Sequence, residues 1–236
     1  MSDTNRLALP LLQPAQAQKH VTVNEALGRL DGLVNMVLES NSLPMPPTVV
    51  LDGATYGVPG GAVNAWSGQA GKVAIGSNGG WVFVAPRTGW RTFIADEGRT
   101  AIHDGTAWVP GALSLSPHGA GLSAGVIELD HVIAAGASSE TAVIIPGHAM
   151  VLGVSARVIA PISGTLSAWE LGNVGATNRF GSGLGVAQGS WARGMLSQPM
   201  TYWNAETLLL SATGGDFAAG TVRLAVHYLE ILLPSE

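Results

Sequence analysis

Apolar residues recur at three- and four-residue intervals in one stretch of this chain, Leu9 to Leu38. Ala26, Leu27, Leu30, Leu33, Val34, Val37 and Leu38 form one stripe. Arg29, Asp31, Asn35 and Glu39 take the other face. That period predicts an amphipathic helix. Thr22-Val-Asn-Glu25 has capping-box spacing, so the helix is expected to begin at Thr22. Ser40-Asn41-Ser42 and then Pro44, Pro46 and Pro47 stop it. Ahead of it, Leu7, Leu9, Leu11 and Leu12 surround Pro10, with Pro14 following. Prolines exclude a helix interior, so an extended apolar arm is predicted there. The arm is expected to contact a neighbour or a larger assembly, and its removal to spare folding.

Beyond Pro44 the pattern becomes strand and turn. Within Val49–Gly111, Ala74-Ile75 and Trp81-Val82 are separated by five residues, and so are Ala101-Ile102 and Trp108-Val109. Asn78-Gly79 and Asp104-Gly105 supply the turns of two similar hairpins. Trp66 and Trp90 add two further large side chains. A sugar-stacking surface is one reading of these four tryptophans. The preferred reading is core, since a small domain needs large side chains to exclude water. Ala112–Gly125 is small, glycine-rich and nearly uncharged, which predicts a linker.

Further on, strands are expected at Val126–Ile133, Thr141–Ile145, Met150–Ile159, Thr165–Leu171, Thr207–Thr213 and Thr221–Leu233. Their turn spacing fits a sandwich or jelly roll. In the last strand Val222, Leu224, Val226 and Tyr228 share one face. The other begins with Arg223, Ala225 and His227 but ends in Leu229, Ile231 and Leu233. A strand apolar on both faces at one end points to a neighbouring subunit. The predicted class is mainly β. An arm plus helix occupies residues 1–43, a small Trp-rich β domain 44–111, a linker 112–125 and a β-sandwich, jelly-roll-like, 126–236.

Composition changes this picture in one respect. Apolar residues make up 47% of the chain and charged residues only 11%, against roughly 25% charged in an average domain. So little charge on an ordered chain predicts surface buried between subunits. Leu7, Leu9, Leu11, Leu12, Leu27, Leu30, Leu33, Val34, Val37, Leu38, Leu229, Ile231 and Leu233 are the expected assembly residues. Residues up to Gly111 carry 7 basic and 8 acidic side chains, and those from Ala112 onward 4 and 8. Neither half has a basic stripe, so no nucleic-acid partner is expected. Without cysteine, disulfides and thiolate metal sites are excluded. No apolar run reaches the roughly 20 residues needed to span a bilayer, and no signal peptide is recognisable. Synthesis in the cytoplasm without an export signal, and no membrane insertion, are expected.

Candidate chemistry is sparse. Gly121-Leu-Ser123-Ala-Gly125 matches the nucleophile-elbow pattern but lacks the strand–turn–helix setting. The glycines at 181, 183 and 185 resemble a phosphate loop, yet no helix pattern follows them. Six scattered histidines offer no paired metal-ligand spacing. Glu128 and Asp130 share a strand face, as a glycosidase pair does, though a solvated face is the preferred reading. No catalytic residue, cofactor or metal site is assigned, and a calcium site at Asp130 or Asp216 stays open. Trp191, Arg193, Tyr202, Trp203 and Asn204 combine aromatic faces with polar groups, the chemistry of saccharide binding. Interface or core packing is the competing reading.

Leu9–Leu33, above all the run QPAQAQKHVTVNEAL, resembles the start of a domain of unknown function found in phages, prophages and gene transfer agents of alphaproteobacteria. Ala65-Trp66-Ser-Gly68, Gly79-Gly80-Trp81, Pro86-Arg87, Gly89-Trp90, Ala95-Asp96-Glu97 and Asp104-Gly105 with Trp108 extend the likeness to Gly111. The second half, including Phe180-Gly181, Leu184-Gly185, Gly214-Gly215 and Val226-His227-Tyr228-Leu229, is similar to domains that follow it in such particles. The resemblance implies a virion head spike or fibre, not an enzyme. It implies a homo-oligomer, with a trimer favoured over a pentamer, that contacts capsid or other virion proteins. The β domain is then exposed on the particle and binds host cell-surface polysaccharide. A tailspike-type enzyme cleaving capsular polysaccharide, and a purely structural virion component, are the alternatives.

Overall fold

The computed structural model describes residues 3–12 and 19–235. Residues 13–18, with Pro14 of the expected arm and part of the run behind the resemblance, lie outside the described residues. The chain is mainly β and forms two compact units, Met1–Gly121 with Leu233–Glu236, and Leu122–Leu232.

The first unit contains α1 (Lys19–Leu33), β1 (Val37–Leu38), β2 (Thr55–Gly57), β3 (Val73–Ser77), β4 (Gly80–Val84), β5 (Arg91–Ile94), β6 (Arg99–His103), β7 (Trp108–Pro110) and β8 (Ala112–Leu115). The helix departs from the sequence reading at both ends. It is already formed at Lys19, so Thr22 lies inside it and is not its N-cap. At the other end Asn35 turns left-handed, with φ 48°, just after the Val34 N–H closes the last turn on Leu30 O. Asn tolerates that conformation and ends the helix. Val37 and Leu38 then run parallel to β5. The amides of Phe93 and Ala95 donate to Met36 O and Leu38 O, and the Thr92 hydroxyl caps Met36 O at 3.1 Å. Long-range strand pairing here overrides a helical period that continues through Leu38.

The apolar stripe therefore divides. Leu33, Met36 and Leu38 pack with Val73 and Ile75, while Leu30 and Val34 face solvent. Gly32 lets the helix close on the sheet, since a Cβ there would sit 2.8 Å from Ile75 Cδ1. The arm is not extended either. Asp3 bridges Pro10, the Thr4 amide donates to Leu9 O at 2.9 Å, and Ala8 adopts φ 51°. This tight turn lies against its own helix.

Two sheets complete the unit, ordered β2-β3-β4 and β1-β5-β6-β7. The sequence repeat is the pair of hairpins β3–β4 and β6–β7. Asn78 and Gly79 take positive φ in the first turn. In the second, the Asp104 carboxylate accepts from the amides of Thr106 and Ala107 at 2.7 and 2.8 Å. Trp66 is fully buried, 5.2 Å from the Trp81 ring and 5.4 Å from Tyr56. Trp90 and Trp108 pack on the Val73–Leu38 cluster. The tryptophans thus make core. The stretch expected as a linker is ordered: it forms β8, a turn closed by Ser116 N–H to Ala120 O, and the first residues of the next strand.

The second unit is built from eight strands: β9 (Gly121–Val132), β10 (Ser138–Ile145), β11 (Ala149–Gly164), β12 (Ala168–Asn173), β13 (Ala176–Leu184), β14 (Trp191–Tyr202), β15 (Glu206–Thr213) and β16 (Phe217–Leu232). One sheet runs β10-β15-β12-β13, and the other contains the run β14-β11-β16-β9. Numbered from one to eight, these orders are 2-7-4-5 and 6-3-8-1, the strand order of a jelly roll. Alternate residues of both sheets meet in one core that includes Val151, Val154, Trp169, Leu171, Leu208, Leu210 and Leu224.

Candidate functional site

Strand alternation places the side chains of the β14-β11-β16-β9 sheet. Val154, Ala156 and Val158 of β11, Ala192 of β14, and Val222 and Leu224 of β16 point into the core. Their neighbours Ser155, Arg157, Trp191, Arg193, Arg223 and Ala225 therefore face outward. Pairing registers align these in rows. Arg157 stands opposite Arg223 on one side and Trp191 on the other, and Ser155 stands between Ala225 and Arg193. Together with Glu128 of β9 they line a shallow depression of about 450 Å³.

Charge is unevenly spread across this face. Arg223 holds Asp130 in a two-point fork at 2.6 and 2.7 Å, and its Nε lies 3.6 Å from Glu128. The hydrogen bond from Arg223 keeps the Asp130 carboxyl below the usual range, and the same bond raises Arg223. Arg157 and Arg193 meet no carboxylate among the described residues. The Arg193 guanidinium lies 5.8 Å from the centroid of the Trp191 ring, which is 63% exposed. Ser155 Oγ and His227 Nε2, 2.9 Å apart, continue the polar surface.

Of the five residues expected to bind saccharide, the fold joins two. Trp191 and Arg193 open β14, whereas Tyr202, Trp203 and Asn204 lie at or beyond its other end. At about 3.3 Å per residue these groups are on the order of 35 Å apart, too far for one small site. Tyr202 is only 4% exposed, and its hydroxyl is buried with no hydrogen-bond partner among the described residues, so it is a core residue. Burial raises its phenol pKa. Trp203 is open to solvent and meets His148 edge-on at 6.1 Å. The sequence reading missed Arg157 and Arg223 as partners of Trp191. Their strand alternation was legible, but not which strands are neighbours.

The other candidates resolve individually. Ser123 is buried within β9, without the helix a nucleophile elbow needs. Gly181 and Gly183 take positive φ within the edge strand β13. Among the assembly residues, Leu38 is fully buried in its own unit and is withdrawn from that role. Leu7, Leu9, Leu11, Leu27, Leu33, Val37 and Leu229 are partly buried, and Leu12, Leu30, Val34, Ile231 and Leu233 are exposed.

By class, then, the chain combines a Trp-cored β unit carrying helix α1 with an eight-stranded jelly roll. That architecture serves capsid proteins, lectins and cupins alike, so it names no single function. A family model described as "Protein of unknown function (DUF2793)" matches residues 23–109, within the first unit. Among solved structures, a chain of the "Cyanophage Pam1 capsid asymmetric unit" is 22% identical, over 50% of this chain and 92% of that one. Its TM-score of 0.32 is too low to support an argument from shared fold. No curated protein matches the chain.

Proposed function

We propose that this protein is a structural and adhesion component of a phage-like particle, a head spike or fibre that binds host-surface polysaccharide through its jelly roll. The observation carrying this reading is an exposed Trp191 beside Arg193 over the outer depression. An aromatic face with adjacent unpaired donors suits a pyranose, whose C–H face stacks while its oxygens accept hydrogen bonds. The family match at residues 23–109 falls within the stretch whose residues resemble phage and gene-transfer-agent domains.

The N-terminal part serves attachment and oligomerisation, with Leu12, Leu30 and Val34 as its exposed apolar contacts. A homo-oligomer, trimeric rather than pentameric, covers these together with Ile231 and Leu233. A non-enzymatic role fits the Glu128–Asp130 pair better than hydrolysis does. Arg223 takes up both oxygens of Asp130 in its fork and lies beside Glu128, so the two carboxylates serve as ion-pair partners on this face.

The test is to incubate the protein with purified capsule, following binding by surface immobilisation and chain length by size-exclusion chromatography. Binding with unchanged chain length is expected. Shortened chains point to the tailspike enzyme, and absence of binding to a purely structural component.

A further inference from the structure

Residues 112–236 hold four arginines and no lysine, against eight acidic residues. Three of the four, Arg157, Arg193 and Arg223, line one depression. The fourth, Arg179, is used internally, its Nε donating to Asn173 Oδ1 at 2.8 Å. In an acidic half-chain, such convergence is not what solubility requires.

It also works against the sheet. Arg157 and Arg223 are direct cross-strand partners on one face, and like charges in that position are destabilising. Asp130 and Glu128 engage Arg223 from the β9 side. The surplus charge therefore lies on the β11–β14 side, on Arg157 and Arg193. Registers make these two diagonal neighbours, with Trp191 opposite Arg157 and Arg193 opposite Ser155. Diagonal pairs are about 7–8 Å apart, within reach of long side chains. Two guanidinium forks can thus converge on one oxyanion beside the Trp191 ring.

We infer that the ligand of this face is an anionic polysaccharide, whose acidic group is held by Arg157 and Arg193 while an adjoining ring stacks on Trp191. This rests on the polysaccharide-binding reading above and names its ligand class. Nucleic acid is a poorer fit, because two unpaired arginines in an acidic unit form no track for a phosphate backbone.

The test uses the full-length protein with polygalacturonate, the same polymer after carboxyl reduction, and dextran sulfate. Polygalacturonate is expected to bind at least about tenfold more tightly than its reduced form, as charge-assisted hydrogen bonds imply. Arg157→Gln with Arg193→Gln should abolish that preference. Arg157→Lys with Arg193→Lys should keep part of it. Both arginines are exposed, so an unchanged melting temperature confirms the variants are folded. Dextran sulfate binding with the same arginine dependence, alongside the polygalacturonate preference, extends the ligand class to sulfated polysaccharides. Equal binding of the charged and reduced polymers, or a preference that survives the double substitution, overturns it while leaving polysaccharide binding intact. If no polymer binds, and purified capsule does not either, both readings fall.

Discussion

Asp31 belongs to the polar face by helical spacing, yet it is 2% exposed. Its carboxylate accepts from the Thr4 hydroxyl at 2.7 Å and from the amides of Arg6 and Leu7 at 3.0 and 2.6 Å. Asn24 adds a second clasp, exchanging hydrogen bonds with both the amide and the carbonyl of Leu12. The N-terminal turn is thereby part of the fold, and its removal would strand a buried carboxylate. Asp31→Asn should cost about 1–3 kcal/mol, because an amide cannot accept all of these donors. An unchanged urea midpoint would show that the turn contributes nothing to folding. His131 and His103 give a pH prediction. Burial lowers both, and at His103 it outweighs the Asp104 charge. As pH falls below the unfolded value of about 6.5, the unfolded chain takes up protons first. The stability these rings contribute is thus full above that value and lost as pH falls toward their folded values. Thermal scans should show a lower Tm at mildly acid pH, and His131→Gln should flatten the slope. An identical slope in the variant excludes His131 as its source.

Among the elements, β13 and β14 were absent from the sequence reading, although β9 to β12, β15 and β16 were all anticipated, with shifted ends. Both unread strands are sheet edges, each paired on one side only. Gly, Asn, Ser, Gln and Pro interrupt their alternation, which an edge tolerates because one side of its backbone is free of the ladder. The two edges also approach each other. A Cβ built on Gly194 of β14 would overlap the Phe180 carbonyl of β13. Backbone cannot yield as a flexible side chain can, so Gly194→Ala is expected to destabilise by about 2 kcal/mol or more. Gly175→Ala makes no such contact, although its positive φ carries a smaller strain of its own. Denaturant titration that ranks Gly175→Ala as the costlier change would contradict this close approach.

For the whole molecule, the exposed apolar residues are the quantity to explain. Ile231 and Leu233 are 75% and 83% exposed in the single chain. Sedimentation at micromolar concentration should find an oligomer, and Ile231→Asp with Leu233→Asp should shift it toward monomer by placing charge in an apolar contact. A wild-type monomer would defeat the assembly proposal.

By itself the sequence determined the mainly β class, the two hairpin turns, the Trp-rich core and the inward face of the last strand. These follow from local rules: Asn-Gly and Asp-Gly turns accept positive φ, and side chains alternate with period two. Tertiary structure alone decided that Val37 and Leu38 join a sheet and that Asp31 is covered. It also decided that Arg157, Arg193 and Arg223 share one face while Tyr202 is buried far from Trp191. The physical reason is that strand neighbours in a jelly roll are set by how two sheets close over a common core. Residues 30 to 66 positions apart meet there with no local period to announce it.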